Sequence, residues 1–254
     1  MYGLYCGGRG TVSLEATNLT HAYERSPVLC GLSLTVGEGQ IVGLLGPNGA
    51  GKSTAMGIMA GQLQADAGAV KLGGELLDRL PTHERARRGL VFLPQAPSVF
   101  RDCTVWENMA LAVRGLGGDD SQAEKRLDQL GLAHLRDAFA GQLSGGERRR
   151  LEIARSLVGS PRLLLMDEPF AGIDPVGVEG LQQVLIGLAR NGLGILLTDH
   201  AVDATLGICD HAIIIDAGTV MTQGRPEAVA ADERVRARYL GHRFVLKTAS
   251  KACT

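Results

Sequence analysis

The sequence predicts an α/β protein organised around a mostly parallel sheet, and three observations carry that expectation. Short apolar, β-branched runs at Gln40–Leu45, Leu163–Met166, Ile195–Leu197 and Ile213–Ile215 suit strands buried on both faces. Helical stretches alternate with these runs, as they do in α/β units. The first run leads straight into a glycine-rich loop followed by a helical pattern.

The expected elements follow in order. Residues 1–11 are glycine-rich and aperiodic, so a loose leader is expected, with no secretory signal. Val12, Leu14 and Ala16 alternate, as do Leu32, Leu34 and Val36, which is the period of half-buried strands. A helix is expected from Lys52, carrying Met56, Met59 and Leu63. The run His83–Arg88 reads as a solvated helix face rather than a basic binding patch. Residues 97–158 read as a largely helical subdomain. With no repeat, low-complexity tract or long linker, one domain is expected over 12–246, followed by a flexible polar tail at 247–254.

Composition narrows the classes of function. A chain of 254 residues, 45% hydrophobic, is ample for a core. Lys+Arg 26 against Asp+Glu 27 leaves a net charge of -1, so no global field draws it to nucleic acid or lipid, and no nucleic-acid partner is expected. No apolar run approaches the ~20 residues of a spanning helix. Membrane association is therefore expected only through partners, with the cytoplasm as the compartment. Cys6, Cys30, Cys103, Cys209 and Cys253 are scattered and form no C-x-x-C pair, which argues against a disulfide framework or a zinc site.

Gly46-Pro47-Asn48-Gly49-Ala50-Gly51-Lys52-Ser53 matches G-x-x-x-x-G-K-[ST], with Thr54 next in the helix. Glycines let the backbone curl so that successive N–H groups face phosphate oxygens, and the helix start adds its positive dipole end. Lys52 supplies a charge for the β- and γ-phosphates of ATP, and Ser53 a hydroxyl for Mg²⁺. The plain alternative is a glycine-rich turn with an exposed lysine; the strand before and helix after argue against it.

Leu163–Glu168 is an apolar strand ending in two acids, at the sheet edge where ligands bind in such folds. Asp167 would hold the Mg²⁺ shell and Glu168 would polarise the attacking water. Two such acids could also form only a solvated turn. Ser144-Gly145-Gly146-Glu147 opens a further helix whose Leu151, Ala154, Leu157 and Val158 share a face. Ser144 and Glu147 read as a capping box, and a capped helix start is also a phosphate-binding surface.

In this order the chain carries the phosphate loop, Gln95, Leu143–Glu147, Asp167-Glu168, Asp174 and His200. That set resembles the nucleotide-binding subunit of ABC transporters over roughly Val12 to Leu246. The resemblance implies a P-loop NTPase (RecA-like) core with an antiparallel β subdomain and a helical signature subdomain. It also implies an ATP-hydrolysing homodimer, each ATP lying between the phosphate loop of one copy and Ser144-Gly145-Gly146 of the other. By the same carry-over Tyr23 stacks on adenine, Gln95 senses Mg²⁺ and water, Asp174 crosses the dimer seam, and His200 contacts the γ-phosphate. Tyr23 could instead pack at a strand end, and a single histidine such as His200 could be structural.

Departures from the generic pattern point to a branch. They are Glu147-Arg148-Arg149-Arg150, Asp199-His200-Ala201 and Phe170-Ala171-Gly172-Ile173-Asp174-Pro175. These are most similar to the branch that powers bacterial lipopolysaccharide export, with the branched-chain amino-acid importers as the alternative. The partners so implied are transmembrane permease subunits of the exporter type, with this chain peripheral beneath them on the cytoplasmic face of the inner membrane. Phe100 and Arg101 fall where the family keeps its groove for the partner's coupling helix, although Phe100 could equally be buried. A soluble ATPase acting on DNA or ribosomes would carry a coiled-coil insert or a second cassette, and this chain has neither. The intact Lys52, Asp167, Glu168 and His200 argue against a non-hydrolysing binding module.

Overall fold

The computed structural model describes residues 12–24, 26–116, 119–241 and 244–246. The expected leader at 1–11 and tail at 247–254 lie outside the described residues.

The chain opens with two antiparallel strands, β1 (Val12–Tyr23) and β2 (Ser26–Gly37), joined to β3 (Ile41–Leu45). Helix α1 (Lys52–Ala60) follows, then β4 (Ala67–Leu72), β5 (Glu75–Leu76), α2 (Thr82–Arg87) and β6 (Leu90–Leu93). Three helices come next: α3 (Val105–Gly115), α4 (Asp120–Gln129) and α5 (Gly145–Leu157). The chain then alternates through β7 (Leu163–Asp167), α6 (Pro175–Arg190), β8 (Gly194–Thr198), α7 (Val202–Leu206) and β9 (His211–Asp216). It closes with β10 (Thr219–Gly224), α8 (Pro226–Ala231) and α9 (Glu233–Val235), which continues as a wider turn, Arg236–Leu240.

Six strands form the central sheet in the order β10-β9-β3-β8-β7-β6, parallel from β9 to β6 with β10 antiparallel at one edge. Every residue of β3 and β8 is buried, as expected of strands covered on both faces. Because β3, β8, β7 and β6 are consecutive neighbours, the loops after their carboxyl ends share one edge. Those four strand ends carry the phosphate loop, His200, Asp167-Glu168 and Gln95. This strand order is what assembles the site.

The second sheet, β2-β1-β4-β5, is antiparallel throughout. Its inner side chains, among them Leu14, Leu32, Leu34 and Val36, pack with Met56 and Met59 of α1 and with Val42 and Leu44 of the central sheet. Helix α1 is buried from Thr54 to Ala60, which explains its lack of a polar face. Val105, Met109, Val113, Leu127, Leu151 and Leu157 from α3, α4 and α5 join a separate core that reaches Met166 and Leu197.

Two local expectations are corrected. Helix α1 stops at Ala60, because Gly61 turns left-handed at φ 78°, so Leu63 lies beyond it. A side chain at Gly61 would press on Arg85, its Cβ falling 2.6 Å from the guanidinium Nε. Arg85 itself is not solvated: it is 2% exposed. Its guanidinium donates to the carbonyls of Ile58 and Met59, each at 2.8 Å, and to Leu80 at 2.8 Å. It thereby serves the carbonyl end of α1, whose last groups lack helical donors. Arg87 and Arg88 of the same run do pair outward, both with Glu84.

Candidate functional site

The loop between β3 and α1 needs glycine where the chain approaches itself. A Cβ at Gly46 would fall 2.1 Å from the Ile215 carbonyl, and one at Gly51 would fall 2.8 Å from the Val28 carbonyl. Gly49, at φ 79°, has open space around its Cα, on the exposed tip with Asn48. Ala50 N–H closes the turn onto Pro47 O at 3.2 Å, and the first helical bond runs from Ala55 to Gly51. The N–H groups of Lys52, Ser53 and Thr54 thus have no acceptor inside the helix, which makes an anion-binding end. Lys52 Nζ folds back onto the carbonyls of Gly46 (2.7 Å) and Pro47 (2.9 Å). Burial lowers its pKa, and the carboxylates of Glu168 and Asp167 oppose that shift.

Glu168 is the centre of the polar cluster. Gln95 Nε2 donates to one carboxylate oxygen at 2.7 Å, and His200 Nε2 lies 2.9 Å from the other. Its backbone sits in the left-handed region at φ 48°, a conformation of cost about 1–3 kcal/mol for a non-glycine residue. Its N–H donates to Thr198 O at 2.7 Å, so β8 holds the turn in place. Asp167 is raised above the ordinary carboxylate range, first by burial and then by Glu168, while Lys52, Arg149 and a hydrogen bond from Ser53 oppose the rise.

A carboxylate pair beside a serine hydroxyl suits a divalent cation, whose charge would relieve their repulsion. Among the described residues no group of three or more His, Cys, Asp and Glu could cage a metal. One carboxylate and the Ser53 hydroxyl would fit an ion such as Mg²⁺, which takes one or two protein ligands and completes its shell with water and phosphate oxygens. Gln95 is turned to Glu168 here.

Ser144 caps α5 as expected: Glu147 N–H donates to its Oγ at 3.3 Å, and the Glu147 carboxylate accepts from Ser144 N–H at 2.8 Å. Gly145 and Gly146 lie against the segment after Glu168. A Cβ at Gly145 would fall 2.8 Å from the Gly172 carbonyl, and one at Gly146 would fall 3.4 Å from Gly177. Asp174 caps α6 through Gly177 N–H at 3.0 Å. The space beside Gly145 and Gly146 is thus taken by this segment, while Ser144 bonds within the start of its own helix, to Glu147 and Arg148.

Several residues received no role at the site from sequence reasoning, although Arg149 and Asp199 lie in segments that marked the branch. Arg149 and Glu152, 6% and 3% exposed, form a buried ion pair at 2.8 Å on α5. Arg149 also donates to the carbonyls of Pro94 (3.1 Å) and Asp167 (3.2 Å), and Glu152 accepts from Ser98 N–H at 2.5 Å. Asp199 accepts from Phe170 N–H at 2.8 Å and Ala201 N–H at 2.7 Å, bridging the loops that follow β7 and β8. Burial raises the Tyr239 phenol, and its hydrogen bond to the Gly46 backbone opposes the rise. Only the i, i+3 spacing of Arg149 and Glu152 was visible as a local signal.

Phe100 is 49% exposed, which removes the alternative that it is buried. The buried Asn108 pins its backbone through both N–H and carbonyl at 2.9 Å, and Arg155 lies over its ring at 5.0 Å. Arg101 is exposed next to it. Tyr23, at the end of β1, is also 49% exposed, with one side of its ring against His21.

The family model for ABC transporters matches residues 29–171, more than half of the chain. The lipopolysaccharide export system ATP-binding protein LptB of Haemophilus influenzae is 44% identical, over 92% of this chain and 99% of its own length. LptB of Acidithiobacillus ferridurans is 46% identical, over 91% and 98%. Among solved structures, the ADP conformation of an ATP-binding cassette of an ABC transporter aligns at TM-score 0.84 and 29% identity, covering 91% of this chain and 99% of that one.

Proposed function

The chain belongs to the ABC transporter family as an ATP-binding subunit, and from that premise we propose that its hydrolysis of ATP drives lipopolysaccharide export. The observation that carries the catalytic part is the Glu168 carboxylate, held between Gln95 and His200 beside Lys52 and Asp167. Each carboxylate oxygen accepts one of these contacts and keeps a second lone pair. That lone pair is where the attacking water donates its proton, with Glu168 as general base. Lys52 and the N–H groups of Gly49, Gly51, Lys52, Ser53 and Thr54 hold the phosphates. Ser53 and Asp167, with Gln95, would hold Mg²⁺, which would supply neutralising charge for the transferred phosphoryl group. His200 orients Glu168 and reaches the γ-phosphate, and Tyr23 stacks on adenine.

The signature works in trans. Ser144 is exposed at the start of α5, where free N–H groups and the dipole form a second anion surface that its own phosphate loop does not use. A homodimer sets that surface on the partner's ATP and brings Asp174 to the seam. Among the described residues no helix is long and apolar enough to cross a membrane. In this reading permease subunits span the inner membrane and handle the cargo, this chain sits beneath them at the cytoplasmic face, and Phe100 and Arg101 dock them.

The cargo assignment rests on relatives named for lipopolysaccharide export, matched over nearly their whole length. Depleting the protein in its host tests the assignment. Newly made lipopolysaccharide should accumulate at the inner membrane, rescued by the wild type and not by Glu168→Gln. Loss of leucine uptake with normal lipopolysaccharide delivery would instead establish the importer alternative.

A further inference from the structure

The last turn of β1 is held by a device that regular strand pairing does not require. Its register shifts against β2 between His21 and Ala22, and against β4 between Thr17 and Thr20. Asp66, just before β4, takes over the tether. Its N–H donates to Thr20 O at 2.8 Å, and its carboxylate accepts Ala22 N–H at 2.8 Å. The other carboxylate oxygen stands 3.6 Å from His21 Nδ1.

His21 is a costly choice for this place. Its side chain is 13% exposed, and both ring nitrogens are shielded from water without a hydrogen-bond partner. An aliphatic residue would fill the same space without that cost. What the imidazole does supply is an aromatic contact: its ring and that of Tyr23 meet at 89°, centroids 4.8 Å apart. Edge-to-face pairs of this kind are favourable beyond the area they bury. The Tyr23 ring still keeps half of its surface exposed.

We infer that His21 and Asp66 are positioning residues that set the Tyr23 ring as a platform for the nucleotide base, Asp66 by fixing the backbone and His21 by bracing the ring. The inference rests on the reading of Tyr23 as the adenine platform. A platform held before the nucleotide arrives loses less freedom on binding, so its bracing appears in affinity and not in the chemical step.

The test compares ATP hydrolysis with binding of inorganic tripolyphosphate, which lacks a base, in the full-length chain. His21→Leu and Asp66→Ala should raise KM for ATP about three- to tenfold, with kcat within twofold and tripolyphosphate affinity unchanged. His21→Phe keeps an aromatic edge and should restore KM, which a purely space-filling role would not separate from His21→Leu. If Tyr23→Ala raises KM and His21→Leu does not, the bracing role is wrong. If Tyr23→Ala leaves KM unchanged, the platform reading itself fails, and the inference with it. Should His21→Leu not fold, Asp66→Ala and His21→Phe decide the matter by the same readouts.

Discussion

His200 stands 2.9 Å from Glu168 across the ends of the neighbouring strands β8 and β7. Gln95 closes on the same carboxylate from the β6 side at 2.7 Å. With Glu168 as the proposed general base, Glu168→Gln should keep ATP binding while cutting hydrolysis ~10²–10⁴-fold. That is about 3–5.5 kcal/mol of barrier. Steady-state turnover and gel filtration with ATP check it: the variant should accumulate as an ATP-bound dimer. Near-normal turnover would falsify the base assignment.

The proposed homodimer, with its ATP sites shared between two copies, makes a prediction about mixtures. Lys52→Ala disables one chain's phosphate loop, and Ser144→Arg blocks the other's signature. A mixed dimer keeps one intact site, formed by the phosphate loop of the second variant and the signature of the first. Mixing should restore ATPase activity above either variant alone, provided ATP-dependent dimerisation is confirmed in parallel. A signature serving its own chain would give no recovery.

The Arg149–Glu152 pair is buried and ties α5 to the Gln95 segment through Pro94 and Ser98. Glu152→Ala leaves an uncompensated buried charge and should cost about 3–5 kcal/mol in urea unfolding. Replacing both residues by Arg149→Met with Glu152→Leu should cost less, because no charge is stranded. If the single variant were as stable as the wild type, the pair would not be the buried contact described.

Phe100→Ala and Arg101→Ala should leave the melting temperature and the isolated ATPase nearly unchanged, since Phe100 is half exposed. Capture of the permease subunits from detergent-solubilised membranes should weaken about thirtyfold, the effect of losing an anchor worth ~2 kcal/mol. A large fall in melting temperature for Phe100→Ala would mark it as a core residue instead.

Asp167 carries a pH signature in the nucleotide-free protein with chelator present. Its folded pKa is raised, burial being the first cause, so the folded chain holds a proton that the unfolded chain has released. Its contribution to stability is complete below the unfolded value of about 3.9 and is lost as pH rises through the folded value. The wild type should therefore lose more melting temperature than Asp167→Asn as pH rises above the unfolded value of about 3.9. Parallel curves in a melting series would contradict the shift.

The sequence by itself determined the chemistry of this protein. The phosphate loop, the capped helix start at Ser144 and the Asp167-Glu168 strand end each depend on contiguous residues, so their physics is written locally. The ordered set of motifs also carried the family. Only the tertiary structure decided what depends on distant segments meeting. It buried Arg85 under the end of α1, although the local charge pattern favoured solvent. Through Arg149 and Glu152 it joined α5 to segments more than fifty positions away. It also exposed Phe100, a question that periodicity left open. Hydrogen-bond partners and burial are properties of the packed chain, because strand order and helix docking choose which neighbours a side chain meets.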